Sequence, residues 1–238
     1  MGRLCNPSFL MPLNGRAVVT LRPFFYDRNH RVRKKMKLYS CKMAPNARKL
    51  LVYLKEKAII PDIETVEVDL LSGAQYQPEY QAINPLGKVP VLELDDGSLV
   101  TESLSIIEYF EEIYPQPSLT GDCPEERAKI KAIERYIDFE FMGTMGIIAH
   151  NMMPLFAKRF TQSPDVIEYG RARQREALEH LEKFIGKGPF VCGEKVSIAD
   201  ITLFVTIESA NMLRAYPDPK FQNILRCFEN FKKRPVMG

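Results

Sequence analysis

Residues 84–103, which read NPLGKVPVLELDDGSLVTES, constrain the fold of this chain more than any other segment. Pro90 stands directly before the apolar run 91–94. A proline can begin a strand or lie on an edge, but it cannot donate to the ladder of a central strand. Asp96-Gly97 then supplies a tight-turn signal between two apolar runs, which predicts a β-hairpin. The bond before Pro90 is also of the one kind for which a cis peptide costs little free energy.

A helix start follows the predicted hairpin. Thr101, Glu102 and Ser103 place oxygen-bearing side chains at the beginning of a helical run. The first turn of a helix has free N–H groups and a partial positive charge, so it can hold a carboxylate. A strand edge beside such a helix start suits an extended peptide with a free acid group. The segment is therefore a candidate binding site for a ligand of that kind.

Strand and helix patterns alternate around this segment. Pro45 is well placed to open a helix, and its apolar side chains are expected on one face at Leu50, Leu51, Leu54 and Ala58. In chain order the predicted elements are a strand at 37–40, the helix from Pro45, a strand at 65–70, a short helix or turn at 78–83, the hairpin at 89–101 and a helix at 103–114. This βαβαββα order predicts a mixed-sheet α/β domain over residues 36–114, which is an ordinary size for a domain.

The second half of the chain is predicted to be entirely helical. Tyr114-Pro115-Gln116-Pro117 cannot continue a helix, so residues 115–123 form a predicted linker. Pro124 suits a helix start and opens an all-helical domain over residues 124–238. The predicted helices are 125–151, 165–186, 198–213 and 220–232.

Ser197 and Asp200 form a helix-capping signature at the start of one of these helices. The serine can accept a hydrogen bond from the N–H of Asp200, whose carboxylate can reach back to the start of the helix. An acid in this position could serve in catalysis. A satisfied cap explains it without any chemistry, so Asp200 is interpreted as structural.

Charge is distributed unevenly along the chain. Residues 1–35 contain eight Lys/Arg and one acid, while the remainder has a net charge of −4. The body of the protein therefore gives no electrostatic reason to expect nucleic-acid binding. The basic extension 1–35 is interpreted as a disordered tail in preference to an organelle-targeting segment.

Other protein classes are disfavoured by the composition. The chain is 45% hydrophobic and 26% charged, which is typical of a globular protein, and no apolar run approaches the ~20 residues of a membrane span. Five scattered cysteines, without a CxxC pair, favour neither a metal site nor a disulfide framework.

These motifs, in this order over roughly residues 36–235, resemble the glutathione transferases. The resemblance implies a thioredoxin-like N-terminal domain and an all-helical C-terminal domain. It also implies that Val89 pairs with the cysteinyl backbone of glutathione, that Pro90 is the cis residue, and that Glu102 and Ser103 hold the γ-glutamyl end. Lys88 is placed to meet the glycyl carboxylate as a point charge, or is simply a solvated loop lysine.

The loop that would activate the glutathione thiol departs from the common family patterns. The serine position of the zeta-class pattern falls on Ala44. The Pro45-Asn46 step instead resembles the Nu-class enzymes and the transferase-like domain of the fungal nitrogen-catabolite regulator, in which the asparagine faces the thiol. Ala47 replaces the glycine of those proteins. Two roles remain open for Asn46, stabilising a thiolate or capping the helix. Cys41 is a rival nucleophile of the omega or glutaredoxin type, or a small buried apolar residue.

The resemblance implies a glutathione transferase-like enzyme without a metal. Glutathione would be the co-substrate, and its thiol would attack a small organic electrophile, a peroxide or a disulfide. The alternatives are a zeta-like glutathione-dependent isomerase and a non-catalytic glutathione-binding regulatory protein. A homodimer in the cytoplasm is expected, with no nucleic-acid or membrane partner. The wall of the electrophile pocket is expected on helix 125–151, which carries Tyr136, Phe139, Phe141, Met142, Met145, Met152 and Met153.

Overall fold

The computed structural model describes residues 36–59 and 63–237. The predicted basic extension 1–35 lies outside the described residues. The strands are β1 (Met36–Ser40), β2 (Ile63–Glu67), β3 (Val91–Glu93) and β4 (Leu99–Thr101). The helices of the first half are α1 (Pro45–Glu56), α2 (Pro78–Gln81) and α3 (Ser103–Ile113). Those of the second half are α4 (Pro124–Tyr136), α5 (Gly143–Met152), α6 (Pro164–Phe184), α7 (Ile198–Met212) and α8 (Gln222–Lys232).

The strands form one mixed sheet in the order β2-β1-β3-β4, with β1 parallel to β2 and the other neighbours antiparallel. Leu38 pairs with Leu92, and Leu92 pairs with Val100. Leu38 and Leu92 are fully buried, so the central strands are covered. The predicted thioredoxin-like βαβαββα fold followed by an all-helical half is confirmed.

Two local predictions in the first half were wrong. The strand predicted at 65–70 is β2, which begins at Ile63 and ends at Glu67, because the buried Ile63 side chain belongs to the strand. Ala58 was expected on the buried face of α1. It is exposed with a φ of 54°, because the helix ends at Glu56 and the chain turns to bring Ile59 into the core.

The helix predicted at 125–151 is interrupted. Residues Ile137–Met142 form a π-helical turn between α4 and α5. π-Helical turns are rare in proteins as a whole, but those that do occur are often found at functional sites. This one begins next to a buried charged contact. Lys49 of α1 lies 3.1 Å from Glu134 Oε1 and 3.5 Å from Asp138 Oδ1. The interruption therefore lies where the helical half meets the sheet half.

Helix α7 runs through the centre of the helical half and is buried along most of its length. Phe204 of α7 stacks on Phe228 of α8, with ring centroids 5.3 Å apart. The predicted capping box at its start is confirmed. Among the described residues, no helix has both the length and the apolar character needed to cross a membrane.

Candidate functional site

The segment before β3 is held rigidly by two side chains that converge on one carbonyl. The hydroxyl of Tyr80 donates to the carbonyl oxygen of Lys88 at 2.7 Å, and Asn84 Nδ2 donates to the same oxygen at 2.9 Å. Asn84 Oδ1 accepts from the N–H of Leu86 at 3.1 Å. Burial raises the pKa of Tyr80 to about 12, so the phenol remains a neutral donor at physiological pH. These bonds fix the backbone immediately before Val89.

The Val89–Pro90 peptide is cis, as the resemblance implied. Pro90 is buried and Val89 is half-buried. The ladder of β3 begins at Val91, so Val89 precedes it. Lys88 is exposed beside it. Three of the predicted peptide-binding residues, Lys88, Val89 and Pro90, thus form one contiguous edge directly before β3.

The start of α3 lies open at one end of this edge. Its N-cap residue is Glu102, no side chain caps the helix, and its first turn contains no acidic residue. The φ of Glu102 is 67°. A residue other than glycine held in such a conformation costs of order 1–3 kcal/mol, and strain of this kind clusters at ligand sites. The exposed Glu102 and the buried Ser103 therefore present a carboxylate and a helix N-terminus side by side.

The start of α1 meets the start of α3 through two polar side chains, each of which was predicted separately as a site residue. Ser103 Oγ donates to Asn46 Oδ1 at 3.2 Å. The N-cap residue of α1 is Ala44, and no side chain caps the helix. Asn46 lies in the first turn and does not cap its own helix. With Oδ1 engaged by Ser103, the side chain has its amide N–H groups to offer to a ligand.

Cys41 occupies a different environment from Asn46. It is buried at the end of β1 with 4% of its surface exposed, and its carbonyl oxygen accepts from the N–H of Ala44 at 3.0 Å. A buried thiol is out of reach of a disulfide substrate in solution. This environment favours the interpretation of Cys41 as a small apolar residue.

The helix expected to line an electrophile pocket has some of its apolar side chains in the core and others at the surface. Phe141, Met142 and Met145 are buried, whereas Phe139 is 66% exposed with the guanidinium of Arg135 4.0 Å from its ring centroid. At the end of α5, burial lowers the pKa of His150. Part of the predicted wall is therefore core of the helical half.

Sequence reasoning missed Tyr80 and Asn84, which hold the Lys88 carbonyl. The sequence contains a spacing pattern from which both residues could have been predicted. Asn84 opens the NPLGKVP motif, and Tyr80 stands four residues earlier, so that one helical turn brings the two side chains to the same side. The N–H of Asn84 donates to the carbonyl of Tyr80 at 2.8 Å, which is this turn.

Within residues 36–59 and 63–237, no group of three His, Cys, Asp or Glu side chains is arranged to hold a metal ion. The chemistry available at the site consists of helix N-termini, amide and hydroxyl donors, a carboxylate and Lys88. Such a set can bind an extended peptide at both ends and can stabilise an anion between them.

Two family models match the chain. Residues 38–118 match the glutathione S-transferase N-terminal domain, and residues 131–226 match the glutathione S-transferase C-terminal domain. Glutathione S-transferase 2 of Saccharomyces cerevisiae is 26% identical over 226 residues, covering 94% of each chain. Glutathione S-transferase F10 of Arabidopsis thaliana is 34% identical over 161 residues, covering 66% of this chain and 72% of the relative.

A relative with a different name is also similar. Maleylacetoacetate isomerase of Pseudomonas aeruginosa is 29% identical over 177 residues, covering 74% of this chain and 81% of the isomerase. Among solved structures, that of Gtt2 from Saccharomyces cerevisiae superimposes with a TM-score of 0.79 at 25% identity, covering 84% of this chain and 98% of that one.

Proposed function

The chain belongs to the glutathione S-transferase family, and on this premise we propose that it binds glutathione beside Val89 and activates its thiol. The observation that carries the proposal is the contact between Ser103 and Asn46. It joins two uncapped helix starts directly beside the fixed segment 84–90. Each part of the tripeptide then has a matching group on the protein.

Glutathione lies extended, with its cysteinyl backbone paired to that of Val89. The carboxylate of Glu102 faces the γ-glutamyl ammonium group, and the start of α3 at Ser103 holds the γ-glutamyl carboxylate. Lys88 attracts the glycyl carboxylate as a point charge. The rigid carbonyl of Lys88 keeps this edge in register, because two donors hold it in place before the ligand arrives.

The thiol of glutathione points at the start of α1. A free thiol has a pKa near 8.5, and hydrogen-bond donors or a helix N-terminus lower it by stabilising the thiolate. Here the donors are the amide of Asn46 and the N–H groups of the first turn of α1. The thiolate then attacks an organic electrophile, a peroxide or a disulfide. The protein supplies orientation and electrostatics, and the sulfur chemistry belongs to glutathione.

The Pro45-Asn46 step, together with Ala44 in place of a serine, supports a subclass similar to the Nu-class enzymes and the fungal nitrogen regulator. In such an enzyme the glutathione thiolate attacks a disulfide sulfur and displaces the other sulfur as a thiolate. The alternative nucleophile, Cys41, is disfavoured because its side chain is buried.

A second candidate function is a zeta-like isomerisation, in which glutathione adds to a double bond and leaves again. Similarity to the maleylacetoacetate isomerase favours it. Ala44 counts against it, because the zeta pattern has a serine at this position. The absence of a serine at position 44 also supports the alternative of a protein that binds glutathione but catalyses no reaction.

The assembly and location belong to the proposal as well. We expect a homodimer in the cytoplasm with one site per subunit, and no nucleic-acid or membrane partner. The domain boundaries are proposed at residues 36–114 and 124–238 with a linker at 115–123. They are supported by the end of α3 at Ile113 and the start of α4 at Pro124.

Calorimetric titration of the purified full-length protein with reduced glutathione tests binding. Three parallel assays then separate the reactions, namely conjugation of a chlorodinitrobenzene, reduction of hydroxyethyl disulfide and isomerisation of a maleylacetoacetate analogue. We expect binding, and the highest turnover with the disulfide. Binding without turnover in any assay would favour the regulatory alternative, and no heat of binding at millimolar glutathione would reject the proposal.

A further inference from the structure

Residues 153–163 form a strap between α5 and α6 that is fixed to its own half of the protein. Gln162 Nε2 donates to the carbonyl oxygens of Met153 at 2.8 Å and His150 at 3.0 Å. The N–H of Ser163 donates to Asn151 Oδ1 at 3.1 Å. The strap is therefore held in place at both of its ends.

Aromatic contacts hold the middle of the strap. The ring of His150 lies 4.4 Å from that of Phe156 in an edge-on arrangement and 5.1 Å from that of Phe160. Arg159 is exposed between these two phenylalanines in the sequence. The contacts of the two phenylalanines with His150 thus fix the backbone at Arg159. The Arg159 side chain therefore leaves the backbone at a defined place on the surface.

Arg159 contacts the sheet half of the protein through an aromatic ring. Its guanidinium carbon lies 3.8 Å from the ring centroid of Tyr76, which precedes α2. Among the described residues, no carboxylate lies within ion-pair distance of Arg159. A guanidinium stacked on a ring keeps its N–H groups directed outward in its own plane, where they can bind a carboxylate in a bidentate manner.

The Tyr76 ring packs against the backbone just before Lys88. Gly87 has a φ of +60°, and a Cβ atom there would lie 3.1 Å from two carbons of the Tyr76 ring and 2.9 Å from the carbonyl oxygen of Gln75. Only glycine fits this contact without displacement. The ring thus connects Arg159 of the strap to the segment that carries Lys88 and Val89.

We infer that Arg159, together with Lys88, binds the glycyl carboxylate of glutathione and makes the site selective for the full tripeptide. The inference rests on the proposed function. When the cysteinyl residue pairs with Val89 and the γ-glutamyl end lies at α3, the glycyl residue extends about 3.5 Å further, away from α3. That direction leads towards Lys88, Gly87 and the Tyr76 ring. A carboxylate there meets one cation from each half of the protein.

Calorimetric titration of the full-length protein with two ligands tests the inference. Glutathione carries the glycyl carboxylate, and γ-glutamylcysteine lacks the glycine but is otherwise the same molecule. Wild type is expected to prefer glutathione. Arg159→Ala is expected to lower the affinity for glutathione about fivefold, as a partly exposed charge pair does, and to leave the affinity for γ-glutamylcysteine unchanged. Lys158→Ala removes a charge from the same strap and is the matched control, which is expected to bind both ligands as wild type does.

The other outcomes overturn the inference in distinguishable ways. An equal loss for both ligands in Arg159→Ala would mean that the stacked arginine only holds the strap in place. A selective loss in Lys158→Ala of the same size would mean that the net charge of the strap acts, and not Arg159. Unchanged binding of glutathione in Arg159→Ala would reject the inference and leave the proposed function standing. Failure of wild type to bind either ligand would reject both.

Discussion

Two helix starts in this protein are built in opposite ways. The start of α7 is closed, because Asp200 Oδ2 accepts from the N–H and Oγ of Ser197, both at 2.9 Å, and Oδ1 accepts from the N–H of Val191 at 2.7 Å. The start of α1 is open, because Ala44 has no side chain that could cap it. Both starts contain short polar residues. The difference is that α7 closes its own start with a side-chain cap, whereas no side chain caps the first N–H groups of α1.

A helix whose start has no side-chain cap has to be stabilised by other contacts. Helix α1 is anchored by side chains from the helical half. Arg48 forms a bidentate pair with Glu208 at 2.6 and 3.0 Å, and Lys49 reaches Glu134 and Asp138. Glu134 is fully buried. Stability that α7 obtains from its own cap is thus obtained by α1 from the interface between the two halves.

Removing the buried anchor of α1 is expected to have the largest effect. Lys49→Met removes the ammonium group 3.1 Å from the buried Glu134 carboxylate and leaves Arg135, whose guanidinium lies 3.8 Å from an Oε2 atom that accepts no hydrogen bond. Breaking a buried pair in this way typically lowers the free energy of unfolding by about 3–5 kcal/mol. Urea denaturation of wild type and variant measures the loss.

The double variant Lys49→Met/Glu134→Leu is the control for that prediction. It replaces both charges by apolar groups of similar volume, although it also removes the acceptor of the buried Thr202 hydroxyl, and it is expected to recover part of the lost stability. A double variant no more stable than Lys49→Met would contradict the interpretation that the uncompensated carboxylate causes the loss.

The closed start of α7 is expected to show the next largest effect. Asp200→Ala removes the acceptor of three hydrogen bonds in a buried site, and we expect the free energy of unfolding to fall by about 3 kcal/mol. Ser197→Ala keeps the carboxylate and is expected to cost about 1 kcal/mol. In both variants the glutathione affinity of the folded protein should match that of wild type. A weakened affinity would show that the two helix starts are not independent.

The buried Asp200 carboxylate at the start of α7 also predicts that the free energy of unfolding depends on pH. Burial raises the pKa of Asp200 from its usual 3.8 to about 6. The folded state therefore binds a proton between these values while the unfolded state does not, and the stability from this group rises as the pH falls. From pH 7 to pH 5 the gain is expected to be about 1 kcal/mol. The difference in unfolding free energy between wild type and Asp200→Asn at the two pH values isolates it, and no change in that difference would contradict the assignment.

The capped start could be predicted from the sequence, whereas the anchored start could not. Ser197 and Asp200 interact over three residues, so their pattern is local and specific. A lysine is expected to be exposed, and nothing near Lys49 in the sequence indicates that a glutamate 85 residues later buries it. The same holds for Arg159, whose ring partner Tyr76 lies on the other half of the protein.

The candidate site lies between these two cases. The cis Val89–Pro90 edge and the Glu102-Ser103 step were predicted from one continuous motif. Asn46 was predicted separately. Its contact with Ser103 is tertiary and became visible only when the starts of α1 and α3 were seen together. Local sequence patterns thus predicted the individual residues of the candidate site. The contact between those residues is seen only in the folded structure.

A smaller effect is expected at the open start of α3. Ser103→Ala removes the hydroxyl that donates to Asn46 Oδ1, so the Asn46 amide is no longer held against the start of α3, and the glutathione affinity is expected to fall about fivefold. The stability should change by less than about 0.5 kcal/mol, because the exposed Asn46 can exchange its lost hydrogen bond for one to water. This is the reverse of Ser197→Ala, which is expected to change stability and not affinity. A stability loss in Ser103→Ala as large as that in Ser197→Ala would mean that the α3 start is also a structural cap.

The smallest and most specific effect is expected at the start of α1. Asn46→Ala removes a donor to the thiolate but leaves the first-turn N–H groups, so the pKa of bound glutathione should rise by about half a unit, less than 1 kcal/mol. Titration of the thiolate absorbance in the complex measures it. Cys41→Ser is the matched control and is expected to keep both the thiol pKa and disulfide reduction. If the thiol pKa is unchanged in Asn46→Ala, the helix N-terminus alone activates glutathione, and Asn46 serves only to join the starts of α1 and α3 through Ser103.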